Sequence, residues 1–257
     1  DLFSALIKER AETGRIYIMN VDHCNTHSSF LDTVYMSNLC QEITLPTKPL
    51  THIDDPDGEI ALCILSAINV GIIRNLDELE ELCELAVRAL EEIIDYQKYP
   101  IKAAEISTKA RRSLGVGYIG LAHYLAKNQV KYDDPKAWQL VHDLSEAFQY
   151  YLLKASNTLA KERGPCEYYD RTKYSVGILP IDTYKKEVDT IVENKLNYDW
   201  DSLRASIKEH GVRHSTLSAQ MPSESSSVVS NATNGIEPPR GYLSVKKSKK
   251  GPLKQVV

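Results

Sequence analysis

The feature that most constrains this chain is a long amphipathic segment held between two hard stops. Asp133 and Asp134 stand before Pro135, and Gly164 follows Arg163. Proline suits the first turn of a helix and glycine the position just past its end, so the stretch between them reads as one helix. Trp138, Val141, Leu144, Phe148, Tyr151, Leu152, Ala155 and Leu159 give it a buried side. A stripe that long has to lie against another layer of structure.

The other elements supply that layer. Asn75, with Glu78 three residues on, opens a second helix in capping-box register. Its apolar stripe is Leu76, Leu79, Leu82, Ala86, Leu90 and Ile93, with Cys83 beside it. Residues 1–13 before Gly14, and residues 201–210 before Gly211, read as further helices, and a short one is expected near residues 183–192. Short β-rich runs fall between them: residues 15–21, centred on Ile16 to Met19, then residues 59–67 and 216–219. Residues 46–58, with Pro46, Pro49, Pro56 and Asp57-Gly58, form a loop. The basic stretch of residues 246–250 reads as a solvated hairpin or loop. The class is α/β.

At 257 residues the chain can bury a sizeable core in one large domain or two modest ones. A net charge of −4 gives no general pull toward nucleic acid or an anionic membrane. No apolar run approaches the ~20 residues of a membrane span. Five widely spaced cysteines, Cys24, Cys40, Cys63, Cys83 and Cys166, are an odd number in a large chain, which predicts a reducing compartment with thiols free for chemistry. The chain opens inside a helix and closes on a strand-like run at residues 254–257, which predicts a piece of a longer protein.

Chemistry concentrates at Ser37-Asn38-Leu39-Cys40-Gln41-Glu42. If this stretch is extended, alternation turns Asn38, Cys40 and Glu42 to one face, an amide, a thiol and a carboxylate in a row. Such a face is poor core material, because buried polar groups need partners. Cys63, in the middle of an apolar run, is either a small core hydrophobe or a redox partner for that face. Met221-Pro222-Ser223-Glu224-Ser225-Ser226-Ser227 places hydroxyl and amide donors before a helix, which is either a plain cap or an anion site. His23, Cys24 and His27 match no standard zinc spacing and read as a polar loop, so no metal is expected. Gly115-Val116-Gly117-Tyr118-Ile119-Gly120 fits G-x-G-x-x-G, yet no hydrophobic strand precedes it and no acidic residue follows at the required distance. It is read instead as part of a helix, Leu114 to Leu125, packed closely on a neighbour.

Taken together, Ser37 to Ile43, the segment Ile60-Ala61-Leu62-Cys63, and Met221-Pro222-Ser223-Glu224 through Asn231-Ala232-Thr233-Asn234-Gly235-Ile236-Glu237-Pro238-Pro239-Arg240-Gly241 resemble the large catalytic subunit of class I ribonucleoside-diphosphate reductases of bacterial and bacteriophage type. The resemblance runs over essentially the whole chain, residues 1–257. It implies part of that family's α/β barrel, two half-barrels around a finger loop carrying Cys40. N-terminal allosteric regions and a C-terminal redox tail would then lie outside the chain.

The resemblance also implies roles. Cys40 would become a transient thiyl radical that takes the 3′ hydrogen of a ribonucleoside diphosphate. Glu42 would be the base on the 3′ hydroxyl, and Asn38 would position the ribose hydroxyls. Cys63 would be one of two thiols that close a disulfide. Leu39 and Gln41 would border the substrate, and Pro222, Ser223, Glu224, Ser225 and Ser226 would hold its diphosphate. No cofactor would sit on this chain. A small subunit would bring a di-metal centre and tyrosyl radical, thioredoxin or glutaredoxin the reductant, and ATP and deoxynucleotide effectors would bind the absent regions. A homodimeric large subunit in the cytoplasm of a bacterium or phage-infected cell would be the setting, with no nucleic acid or membrane partner. The alternative is a non-catalytic remnant that binds only partner segments and nucleotide phosphate.

Overall fold

The computed structural model describes every residue except Asn194, Lys249, Lys250 and Val257. In chain order the elements are α1 (Leu2–Thr13), α2 (Val21–His27), β1 (Ile64–Asn69), α3 (Glu78–Tyr96), α4 (Lys102–Arg111), β2 (Leu114–Ile119), α5 (Leu121–Lys127), α6 (Pro135–Arg163), α7 (Pro180–Thr183), α8 (Trp200–His210), α9 (Glu224–Val229), β3 (Leu243–Ser248) and β4 (Gly251–Val256). Short 3-10 turns fill part of the stretch between α6 and α8.

The organising unit is a parallel pair. β1 runs beside β2 in the register Leu65 to Gly115 and Ala67 to Gly117. Parallel neighbours need a crossover, and α3 and α4 provide it. A third extended stretch then comes alongside β2. Val116 bridges Ser218 in parallel, the Val116 N–H donates to the Leu217 carbonyl at 2.8 Å, and the Ala219 N–H returns to Val116 at 3.2 Å. The outer face of the pair is apolar. Ile68, Leu114 and Val116 are buried among Leu79, Cys83, Val87 and Ile94 of α3 and Leu144, Phe148 and Leu152 of α6. Tyr118 meets the Phe148 ring edge-on at 5.3 Å. α6 is buried on more than one side, with Leu152 and Leu153 both enclosed, so it is the central strut of the layer.

Buried ion pairs pin the strands' approaches. Arg112, the left-handed C-cap of α4, reaches back to Glu91 of α3 at 2.7 Å and to Asp95 at 2.7 Å. Its neighbour Arg111 turns the other way, to Glu59 and Asp32, each at 2.7 Å.

Several expectations give way here. Residues 15–20 form no strand: Tyr17 and Ile18 are exposed, and no described residue pairs with them. An apolar run without a ladder partner has no reason to become a strand. His23, Cys24 and His27 lie on the helix α2, not in a loop. The strand expected at residues 59–67 begins only at Ile64, with Glu59 pairing instead with Lys48. Leu114 to Ile119 is strand, not helix, and only from Leu121 does a helix follow. The helix expected from Asn75 starts at Glu78, because the Asn75 side chain caps one turn early, accepting from the Asp77 and Glu78 N–H groups. The helix near residues 183–192 is split into α7 and a 3-10 turn at Lys186–Thr190. The strand at residues 216–219 is reduced to the single bridge at Ser218. α1, α6 and α8 stand where the stop signals put them, though α1 buries none of its own residues. The basic stretch falls on the β3–β4 hairpin, with Lys249 and Lys250 outside the described residues. Among the described residues no helix is long and apolar enough to cross a membrane.

Candidate active site

The finger loop, residues 30–47, leaves the helical layer at a bridge between Phe30 and Thr172 and returns at Lys48, which pairs with Glu59. Its stem is held by a small apolar cluster of Phe30, Val34 and Leu45, onto which Ile43, Ala61 and Cys63 pack. Asn25 of α2 acts there as a surrogate strand. Its side-chain oxygen accepts from the Val34 N–H at 2.8 Å and its amide donates to the Val34 carbonyl at 2.9 Å.

The tip is a tight turn, which corrects the extended reading of residues 37–42. The Gln41 N–H donates to the Asn38 carbonyl at 3.2 Å and the Asn38 N–H to the Ile43 carbonyl at 3.1 Å. The Asn38 side chain accepts from the Ile43 N–H at 3.1 Å. Gln41 has φ of 64°. Alternation of side chains therefore does not operate between Asn38 and Glu42. What remains is closeness within one turn. Leu39, 80% exposed, and Cys40 stand at the tip, while Gln41 and Glu42 are half-buried behind them.

The Glu42 charge is felt at Cys63. One of its carboxylate oxygens is buried with no hydrogen-bond partner among the described residues. Burial first, and the Glu42 charge second, push the Cys63 thiol up to about 12. Near neutral pH Cys63 is therefore a protonated S–H, with a carboxylate close enough to act on it. Cys83 and Cys166, also pushed up to about 12 by burial, sit in the packed core.

The serine turn approaches the same inner face of β2. Gln220 repeats the device of Asn25: its amide donates to the Tyr118 carbonyl at 2.8 Å and its oxygen accepts from the Tyr118 N–H at 3.3 Å. That contact delivers Met221 beside β2, its sulfur against Gly117, while Ser223 lies against Gly235. The Ser223 hydroxyl is buried without a hydrogen-bond partner among the described residues, as is Thr233 opposite. α9 begins at Glu224, earlier than the helix expected only after Ser227, because Ser223 already stands as its N-cap; Ser225 and Ser226 are therefore inside the helix, exposed in its first turn, with Pro222 ahead of the cap. The Asn234-Gly235 turn closes over the site: the Thr233 and Gly235 carbonyls accept from the N–H groups of Gly120 and Leu121.

The structure thus joins Glu42 to Cys63, and Cys63 to the serine turn by way of β2, with Cys40 at the exposed tip. A cleft of about 530 Å³ runs along the finger past Met36, Asn38, Ile43 and Ala61. A larger apolar cavity of about 660 Å³, between α5, α6 and the stretch before α8, contains none of the predicted site residues. Asn25 and Gln220 were not identifiable from the sequence, since a lone amide carries no pattern, and Thr233, though inside the stretch that carries the resemblance, has no role assigned there. His23, Cys24 and His27 join no group of three or more metal-ligating side chains among the described residues. His27 bonds the Thr183 carbonyl, which ties α2 to α7.

Comparison with known proteins follows the same lines. The family profile described as "Ribonucleotide reductase, barrel domain" matches residues 1–257. The chain is 64% identical over 260 residues to the ribonucleoside-diphosphate reductase subunit alpha of Haemophilus influenzae, covering all of this chain and 34% of that protein. It is 63% identical over 260 residues to the ribonucleoside-diphosphate reductase 1 subunit alpha of Escherichia coli (strain K12), with the same coverage. The subunit alpha of Enterobacteria phage T4 is 48% identical over 262 residues, again over all of this chain and 34% of its own length. The chain therefore spans about a third of the length of these curated relatives.

Proposed function

Because the chain belongs to the ribonucleotide reductase barrel-domain family, we propose that it carries the reducing site for ribonucleoside diphosphates, within a larger or split catalytic subunit. The observation that supports this most directly is the seating of Cys63 and the serine turn on one face of β2, with the Glu42 carboxylate acting on the thiol.

The residues divide the work. The Pro222–Ser226 stretch holds the diphosphate, with the unpartnered Ser223 hydroxyl as one donor. Asn38 fixes the finger turn through its side chain and presents the tip to the ribose. Cys40, exposed at that tip, takes the hydrogen from C3′ as a thiyl radical. Glu42 accepts the proton of the 3′ hydroxyl. The 2′ hydroxyl then leaves as water, while Cys63 and a second thiol outside these residues give up two electrons and two protons and join as a disulfide. The hydrogen taken from C3′ returns from Cys40. Burial keeps Cys63 protonated, which suits a thiol that must deliver hydrogen and not act as a thiolate nucleophile.

The partners follow from that chemistry. A small subunit with a di-metal centre and tyrosyl radical supplies the oxidant for Cys40. Thioredoxin or glutaredoxin reduces the disulfide, and ATP and deoxynucleotide effectors act on other regions of a dimeric, cytoplasmic subunit.

The test is Glu42→Gln in the complete subunit, assayed with its radical-generating partner and a dithiol. Loss of a general base costs roughly 10²–10⁴-fold in rate. Deoxyribonucleotide formation is expected to fall by that range with substrate affinity retained. An unchanged rate would remove Glu42 from the chemistry.

A further inference from the structure

The glycine motif on β2 has no dinucleotide to bind, yet its spacing matches what packs against it. Gly115 and Gly117 are two apart on a strand and so share its inner face, opposite the face that Leu114 and Val116 bury on the helices. A Cβ on Gly115 would lie 2.8 Å from the Cys63 sulfur, 2.5 Å from Leu65 Cδ2 and 3.0 Å from Ala219 Cβ. A Cβ on Gly117 would lie 2.9 Å from Met221 Sδ and closer still to the Ala219 carbonyl oxygen, which is backbone and cannot swing away. Neither glycine has positive φ, so the requirement is space and not backbone conformation.

We propose that Gly115 and Gly117 are positioning residues that set two separate parts of the site: Gly115 the depth of the Cys63 thiol, and Gly117 the depth of the diphosphate-holding turn. Each contact is local. The first has Leu65, the redox thiol and Ala219, which precedes the serine turn, as its nearest neighbours. The second has Ala219 and Met221, at the start of that turn, as its nearest neighbours. Alanine at 115 therefore lifts or rotates the thiol, and alanine at 117 displaces Ala219, Met221 and Ser223 behind them. This rests on the roles proposed above for Cys63 and the serine turn.

The experiment compares Gly115→Ala and Gly117→Ala in the complete subunit with two direct readouts. One is the rate at which iodoacetamide alkylates Cys63, followed by mass spectrometry. The other is equilibrium binding of the ribonucleoside diphosphate CDP. Gly115→Ala is expected to speed Cys63 alkylation at least tenfold, because a displaced thiol loses the burial that keeps it protonated, and to leave CDP affinity within twofold. Gly117→Ala is expected to weaken CDP binding at least tenfold and leave alkylation within twofold. Should either single variant fail to fold, Leu65→Ala with Gly115→Ala, or Met221→Ala with Gly117→Ala, clears the flexible neighbour and takes its place. Variants that move both readouts together, or neither, overturn the proposal. Failure of the wild type to bind CDP would overturn the functional reading and the Gly117 half with it, while the Gly115 half would still be decided by alkylation. Binding with the expected crossover but no deoxyribonucleotide formed would sink the reaction alone.

Discussion

Cys40→Ser in the complete subunit is expected to lower deoxyribonucleotide formation below detection while leaving ribonucleoside diphosphate binding nearly intact. The location of Cys40 makes this a clean test. It stands exposed at the tip of the turn that the Asn38 carbonyl and the Gln41 N–H close. Little packing is lost there, and substitutions at such surface positions stay within about 0.5 kcal/mol of neutral. A lost activity cannot then be assigned to a lost fold. The chemistry is specific to sulfur, because an S–H bond gives up its hydrogen atom far more readily than an O–H bond. Serine keeps the size and the hydrogen bonding and removes only that property. Product analysis by chromatography, beside equilibrium binding of the diphosphate, separates the two effects. Multiple turnover by the variant would refute the radical role. Cys63→Ser differs in kind: it is expected to stop steady-state turnover driven by dithiol, and normal steady-state rates would exclude Cys63 from the reducing pair.

Which parts of this site were legible depends on what kind of physics positions them. α3, α6 and α8 follow from apolar periodicity and stop residues, and that signal is local. The chemical identities of Asn38, Cys40, Glu42 and Cys63 are also local, since they rest on residue type. The geometry that relates them is not. The finger turns at Gln41, a non-glycine residue in the left-handed region, and nothing in the residue type announces it. Gly115 and Gly117 sit in a run of glycine and apolar residues whose spacing reads as close-packed helix, yet the structure makes it strand. Neighbours distant in sequence, Leu65 and Cys63 at Gly115 and Ala219 and Met221 at Gly117, show why those two positions carry no side chain. The amides of Asn25 and Gln220 imitate a strand edge for Val34 and Tyr118, a role defined wholly by partners distant in sequence.

Glu91→Ala carries the largest expected cost in stability. Glu91 is 0% exposed and accepts from Arg112 and Arg213 at 2.7 Å each and from His214 at 3.0 Å. It fastens α3 both to the entry of β2 and to the segment that runs on to Ser218. Removing the carboxylate leaves buried donors without their acceptor, and breaking such a pair costs about 3–5 kcal/mol. The same group sets an acid limb. Burial alone would push Glu91 up, but hydrogen bonds from His214, Arg112 and Arg213 outweigh it and hold the carboxyl below the usual range. An unfolded Glu titrates near 4.3. The stability Glu91 contributes is therefore fully present above that pH and is lost as pH falls toward its lower folded value. His214 works in the same direction at higher pH. Burial holds it below an ordinary histidine, so the unfolded chain takes up a proton near pH 6.5 that the folded one resists. The wild-type domain is thus expected to lose stability in two stages on acidification, first below about pH 6.5 and then below about pH 4.3. Glu91→Gln keeps the volume and one acceptor oxygen, so it is expected to destabilise at neutral pH and to flatten the lower stage while keeping the upper one. Unfolding midpoints of the complete subunit measured from about pH 2 to about pH 8, a range that spans both stages, decide it: parallel curves for wild type and Glu91→Gln would mean that this carboxylate does not govern the acid limb.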